Sequence, residues 1–293
     1  MTIYDKSLGS RLFDLLLMAL MILMIFVTLF PFYYIFIVSL SNGNAVLRGE
    51  VKFLPVKFTL DSYKLVFENP SVPPALRNSV IYTTLGTTIN LIMSALCAYP
   101  LARPRFSGRT FFTWMVTLTM FFSGGLIPLY LLVLQLHLID TIWAIVLPAA
   151  INPWNMFIMR TAFMGIHESL YEAALLDGAS ELQILWRIVL PLSMPIFATM
   201  LLFYAVAQWN DWFNALIYLN DRAKYPIQLF LRSVVIVGRF DQVNELAGGS
   251  DFAIIEQTLK YATIMVSTIP ILVVYPFVQK YFVKGVMIGA IKE

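Results

Sequence analysis

Apolar residues in this chain come in long unbroken runs, not in the alternating or one-faced patterns of a water-soluble fold. Six stretches, 15–47, 78–102, 110–139, 141–159, 188–210 and 261–279, contain no Asp, Glu, Lys or Arg, and each has at least 19 residues. About 20 apolar residues cross the hydrocarbon core of a bilayer as a helix. Only a helix satisfies its own backbone hydrogen bonds within one segment in lipid. The pattern predicts an all-α polytopic membrane protein with six transmembrane helices in a single domain, 1–293. Composition agrees: 59% of the 293 residues are hydrophobic and 13% are charged, about half the charged share of a soluble domain. The first run is longer than a signal-peptide core and lacks a small-x-small cleavage site, so it is expected to stay as a span. The one cysteine, Cys97, lies in the second run, which leaves no disulfide within the chain.

Six spans place both termini on the same side. The short loop "RPRFSGR" carries Arg103, Arg105 and Arg109; Lys6 and Arg11 precede the first run, and Lys280, Lys284 and Lys292 follow the last. Short Lys/Arg-rich segments stay in the cytoplasm, so both termini are expected there. The two long loops facing the other way, 41–77 and 220–260, hold ten Lys/Arg diluted by eight acidic residues. This topology puts residues 160–187 in the cytoplasm.

That region contains "ESLYEAALLDGASELQILWRIVLP", 168–191. Ser169-x-x-Glu172 reads as a capping box, in which serine and glutamate satisfy each other's backbone N–H groups. Gly178 suits the left-handed position just past a helix end. Ser180-x-x-Gln183 reads as a second capping box, opening a helix that runs to Pro191. The stretch therefore predicts helix, sharp bend, helix. Ala173 and Ala174 are small enough to let another surface come close. On helix chemistry alone, an interfacial connector and a docking helix fit equally well.

The spacing of Glu172, Ala173, Ala174, Gly178, Ile188, Leu190 and Pro191 resembles the EAA loop of permease subunits of bacterial ABC importers. "SGGLIPLYLL", "WNDWFNALIYL" and "YFVKGVMIGAIKE" extend the resemblance to the carbohydrate branch. The chain is similar there to the second permease of the maltose system and to oligosaccharide permeases, including those of alginate-oligosaccharide importers. The resemblance implies a type I ABC importer permease fold in the bacterial cytoplasmic (inner) membrane, with 168–191 as a cytoplasmic coupling helix seated on an ATP-hydrolysing subunit. It implies Glu172, Ala173, Ala174, Asp177 and Gly178 as ATPase-coupling residues, with Glu172 free both to cap Ser169 and to pair with a partner's arginine. Implied partners are a second permease subunit, two ATPase subunits that bind the ATP and Mg, an extracytoplasmic sugar-binding protein, the sugar and membrane lipid.

This chain carries no G-x-x-x-x-G-K-[ST] phosphate loop, no HExxH and no G-x-S-x-G. Its two histidines, His137 and His167, are predicted on opposite sides of the membrane, so no metal site, bound cofactor or catalytic set is expected. A net charge of +3 without a basic stripe gives no sign of nucleic acid binding.

Three polar places at membrane depth are candidates for a substrate pathway. "PAAINPWNM" sets Asn152 and Asn155 beside Trp154, with Pro153 expected to kink the fourth run. "QWNDWFN" sets Asn210 and Asp211 between Trp209 and Trp212, where sugar C–H faces and hydroxyls would both find partners; an interfacial aromatic belt explains it equally well. Thr83, Thr87, Asn90 and Ser94 share one face of the second run, which favours helix packing over pore lining. In the maltose relative the sugar is held by the other permease, so these positions carry less weight than the coupling segment. By the same resemblance, loop 220–260 reaches the binding protein and tail 284–293 reaches the ATPases; a solvated loop and a frayed end are the plain alternatives. A self-contained secondary carrier or channel is the rival function. It calls for mid-membrane ionisable residues or an internal repeat, and the chain offers only Asp211, at the edge of the fifth run, and no repeat.

Overall fold

A computed structural model of the chain describes residues 8–236 and 258–276, among which there is no β-strand. The N-terminal residues, most of the outer loop 220–260 and the tail 284–293 lie outside the described residues. The chain divides into two compact units.

The first unit holds α1 (Leu8–Ser39), α2 (Gly43–Leu47) and α3 (Asp61–Glu68). In α1, apolar residues occur on every side, and Leu12 through Val27 are largely exposed. An all-round apolar helix with little cover from the other described residues is suited to lipid or to another membrane subunit. Only its C-terminal end is packed, where Ile37 and Val38 meet Ala45 and Val51. Ser41 ties that end down: its hydroxyl donates to the Ile37 carbonyl at 2.6 Å and accepts the Val56 N–H at 3.2 Å.

The second unit is organised around α4 (Val72–Ala102), which packs along α8 (Pro153–Met164) and α11 (Met194–Trp209). Pro73 and Pro74 sit in the first turn of α4, where the missing N–H groups cost nothing. Its packed face is rich in small residues, Ser79, Gly86, Thr87, Ser94, Ala95 and Ala98, which are buried along with Tyr82, Asn90, Tyr99 and Leu101. Small side chains let helix backbones approach closely where hydrophobic exclusion gives no drive. The hydroxyl and amide face expected on this helix is therefore a packing face. Ser94 Oγ lies 2.6 Å from the Tyr204 hydroxyl, and Gln208 Nε2 donates to Asn90 Oδ1 at 2.9 Å. A Cβ at Gly86 would come within 2.6 Å of the Gln208 side chain, so only glycine leaves that amide its place.

The third and fourth runs are not straight spans. The third is α5 (Arg109–Phe121) and α6 (Leu126–Gln135), bent by 115°. Ser123, Gly124 and Gly125 interrupt the helix, and Gly125 takes φ +85. The fourth is split into α7 (Ile142–Val146) and α8 by residues 147–152. Pro153 does not kink a continuous helix, as the run had suggested. It is the first residue of α8, with Asn152 as the N-cap accepting the Asn155 N–H at 3.1 Å. The exposed backbone of the break finds a partner in Asn90, whose amide donates to the Ala149 carbonyl. Non-helical backbone is tolerated at membrane depth when protein satisfies it in this way. Among the described residues, three helices, Gly9–Ser39, Val72–Ala102 and Thr258–Pro276, are each long and apolar enough to cross alone; counting the bent third run and the bent pair Glu181–Leu192 with α11 as one span each raises that number to five.

Between the third and fourth runs, Asp140 acts as a pin. It accepts the N–H groups of Asn220 and Asp221 at 3.0 Å each and the Lys224 ammonium at 2.5 Å. The Lys224 contact, helped by the two amides, lowers its pKa to about 2. A carboxylate with a depressed pKa stabilises above its unfolded value near 4 and loses that contribution as pH falls through the folded one. Hydrogen exchange of the Asn220 and Asp221 amides should thus stay slow from neutral pH to about 4 and speed up only between about 4 and 2. Asp140→Asn should remove that step.

Candidate functional site

The polar segment after the fourth run forms α9 (Glu168–Leu176), a tight turn, and α10 (Glu181–Leu192). The turn has the expected chemistry. Gly178 takes φ +77, the Gly178 N–H bonds the Leu175 carbonyl at 3.0 Å, and the Ala179 N–H bonds the Ala174 carbonyl at 3.0 Å. This pair of bonds is the Schellman closure, which fixes the exit direction of the chain. Ser180 opens α10 with the full capping box: its hydroxyl accepts the Gln183 N–H at 3.4 Å and Gln183 Oε1 accepts the Ser180 N–H at 2.9 Å. A π-helical turn at Leu185–Val189 carries the chain to Pro191, and the chain bends by 87° into α11.

The first capping box is not formed. Helix α9 starts at Glu168 with His167 as its N-cap and no side-chain cap, so Ser169 is already inside the first turn. Glu172 therefore does not reach back to Ser169. It accepts from Arg105 NH2 at 2.5 Å.

That contact belongs to a clasp made by the "RPRFSGR" loop and the end of α4. The Arg103 guanidinium lies 3.6 Å from the centroid of the Tyr171 ring and 3.3 Å from Glu168 Oε2. Arg103 is only 7% exposed, so this pairing holds a charge out of water. The Tyr99 hydroxyl donates to Glu181. Arg109 and Arg160 both donate to the Leu101 carbonyl, at 3.0 and 2.9 Å. That carbonyl is in the last turn of α4, where the helix leaves acceptors free and favours cations. Burial raises the pKa of the Tyr171 hydroxyl, and Arg103 pulls against the rise. A cavity of about 390 Å³ opens beside the clasp, lined in part by Arg103, Arg109, His167, Glu168 and Tyr171.

The clasp sits on an apolar seat. Tyr171, Ala174, Ile184, Leu185 and Val189 pack with Ala95, Ala98, Tyr99, Leu101, Ala102 and Phe163. Of the two alanines expected to meet another surface, Ala174 is buried in this seat and Ala173 is exposed. The outer side of the segment presents Leu176 at 89% exposure, with Asp177 and Gly178 next to it and Leu182 and Trp186 further along. The acidic side chains divide the same way: Glu168, Glu172 and Glu181 are held by the chain itself, and Asp177 is on the free tip. Sequence reasoning used the three arginines only to orient the chain. Their role as a clasp depends on pairings 65 and 67 residues apart, which carry no local signal.

The expected pathway residues are placed differently from one another. Asn152 is a helix cap, Asn155 is buried and Trp154 is 64% exposed. Trp209 is buried, and its indole N–H donates to the Ser267 carbonyl at 3.0 Å, so it is packing and not an open sugar platform. Asn210 donates back to the Val206 carbonyl at 2.9 Å. Asp211 lies just ahead of α12 (Phe213–Tyr218) and accepts the backbone and side-chain N–H groups of Asn214 at 3.1 and 2.7 Å. Trp212 remains 36% exposed beside Arg232 of α13 (Ile227–Val235). No cluster of three or more His, Cys, Asp or Glu suited to a metal occurs among the described residues.

Known proteins resemble the chain along nearly all of its length. The polygalacturonan/rhamnogalacturonan transport system permease protein YtcP of Bacillus subtilis (strain 168) is 42% identical over 97% of this chain and 99% of its own. The trehalose/maltose transport system permease protein MalG of Thermococcus litoralis is 31% identical over 92% of this chain and 94% of its own. Among solved structures, a chain of a bacterial ABC transporter involved in the import of the acidic polysaccharide alginate matches with a TM-score of 0.86 and 34% identity, over 96% of this chain and 100% of that one. A family model described as "binding-protein-dependent transport system inner membrane component" matches residues 3–288, and the chain belongs to that family.

Proposed function

We propose that this chain is one of two membrane subunits of an ATP-driven importer of acidic oligosaccharides, and that α9 and α10 dock on an ATP-hydrolysing partner. The observation that carries the reading is the two-sided build of the coupling segment. One side is fixed to α4 by Arg103, Arg105 and Tyr99, while the opposite side offers Leu176, Asp177 and Gly178 to another surface. An exposed leucine at the tip of a rigidly capped turn, with Asp177 beside it, is suited to contact with another surface.

In this reading the partner binds ATP and Mg, and this chain supplies none of the nucleotide chemistry. Closure of the two ATPase subunits moves the α9–α10 peg. The clasp passes that displacement to the end of α4, and the bend at Ser193 passes it to α11. The α4–α8–α11 packing then shifts as a unit, opening the pathway to the side where a binding protein delivers the sugar. Both termini remain cytoplasmic. The acidic substrate class is supported by two of the three relatives named above, those of polygalacturonan and alginate, polymers that carry a carboxylate on their sugar units; the third is a permease for the neutral sugars trehalose and maltose.

Co-purification tests this directly. The tagged chain, co-expressed with a neighbouring permease and ATPase, should retain both through detergent extraction, and hydrolysis should depend on the ATPase. Robust ATP hydrolysis by the purified chain alone contradicts the proposal.

A further inference from the structure

Among the described residues, Arg232 is a cation without a counterion. Its guanidinium stands 4.9 Å from the centroid of the Trp212 ring. It takes part in no ion pair among the described residues. Its Nε is shielded from solvent and has no acceptor, an arrangement proteins avoid because a charged donor loses its water and gains nothing in return. Three described carboxylates of the same unit are already engaged. Asp211 gives both oxygens to Asn214, Asp140 holds Lys224 with two backbone amides, and Asp221 accepts the Ala223 N–H. Trp212 takes Phe213 edge-on and still keeps 36% of its surface open.

An open indole beside an unpaired guanidinium matches the two halves of a uronic acid unit. The sugar ring has an apolar C–H face for the indole. Its carboxylate accepts two parallel N–H bonds from an arginine fork, which a neutral sugar has no group to receive. We propose that Trp212 and Arg232 form a contact for the carboxylate-bearing units of an acidic oligosaccharide, with Arg232 selecting for charge. This rests on the importer reading above and adds to it a specificity residue on this subunit, outside the coupling segment.

The test uses the complete importer in vesicles, with its binding protein, and oligogalacturonate as the probe. Arg232→Gln should raise KM for oligogalacturonate uptake by about tenfold, the loss of roughly one charge-assisted hydrogen bond. ATP hydrolysis without sugar should stay at the wild-type rate. Arg232→Lys should recover part of the loss, because an ammonium keeps the charge and loses the fork, and Trp212→Ala should raise KM as well. The contact is overturned if Arg232→Gln keeps the wild-type KM. It is equally overturned if lysine does no better than glutamine while hydrolysis falls with both, since that marks a packing role. Failure of the importer reading shows earlier and separately, in the wild-type complex. If that complex takes up only neutral oligosaccharides, the acidic substrate class and this contact fall together.

Discussion

Replacing Leu176 by aspartate should detach the ATP-hydrolysing partner while leaving the chain itself folded. Leu176 is 89% exposed, so its loss removes almost no packing, and surface changes of this kind stay within about 0.5 kcal/mol. At a docked interface the same position changes sign. A leucine at the tip of a rigid turn is an apolar anchor, and an aspartate there adds a charge that loses its water on docking. Interface anchors of this kind are worth about 2 kcal/mol or more, so affinity for the ATPase should fall by at least ~30-fold. Titrating detergent-solubilised complex against labelled ATPase measures it. Unchanged affinity would remove Leu176 from the interface and leave the tip without a function.

The second large effect is expected on the other side of the peg. Arg103→Glu places a carboxylate against Glu168 and empties the space over Tyr171. Breaking a buried pair costs about 3–5 kcal/mol, but the Glu168 side chain is 37% exposed, and solvent screening reduces the figure; a loss of roughly 1–3 kcal/mol in local stability follows. Backbone amides of α9 should exchange at least ~5-fold faster, and uptake per ATP hydrolysed should drop. Exchanging the charges, Arg103→Glu with Glu168→Arg, should recover part of both. Arg103→Lys should fall in between, because an ammonium keeps the charge and loses the planar stack on Tyr171. If α9 exchanges at the wild-type rate in the single variant, the clasp does not hold the segment.

The parts of this design that are local were legible in the sequence. Gly178 could be placed because a helix end with a left-handed residue favours glycine, and the Ser180–Gln183 box because both partners are three residues apart. The packing face of α4 followed from helical spacing. Ser169–Glu172 has the same spacing as the working box, yet the helix begins two residues earlier and Arg105 takes the carboxylate. Local pattern states what a side chain is able to do; a distant competitor decides what it does. The same holds for Trp209, whose indole N–H is claimed by a carbonyl 58 residues away. The fourth run hid its break because apolar residues fill helix and interruption alike. What marks the break is Asn152-Pro153, a helix start by its capping chemistry, and it reads as a kink until Asn90 is seen holding the Ala149 carbonyl.

The measurement that bears most directly on the central claim is oligosaccharide uptake into vesicles holding this chain and its permease partner, with ATP inside, with and without the ATPase subunits. The account predicts uptake only when the ATPase is present, and in that case less sugar moved per ATP for Arg103→Glu than for wild type. Uptake that proceeds without the ATPase would make the chain a self-contained carrier, and the α9–α10 peg a connector with nothing to couple.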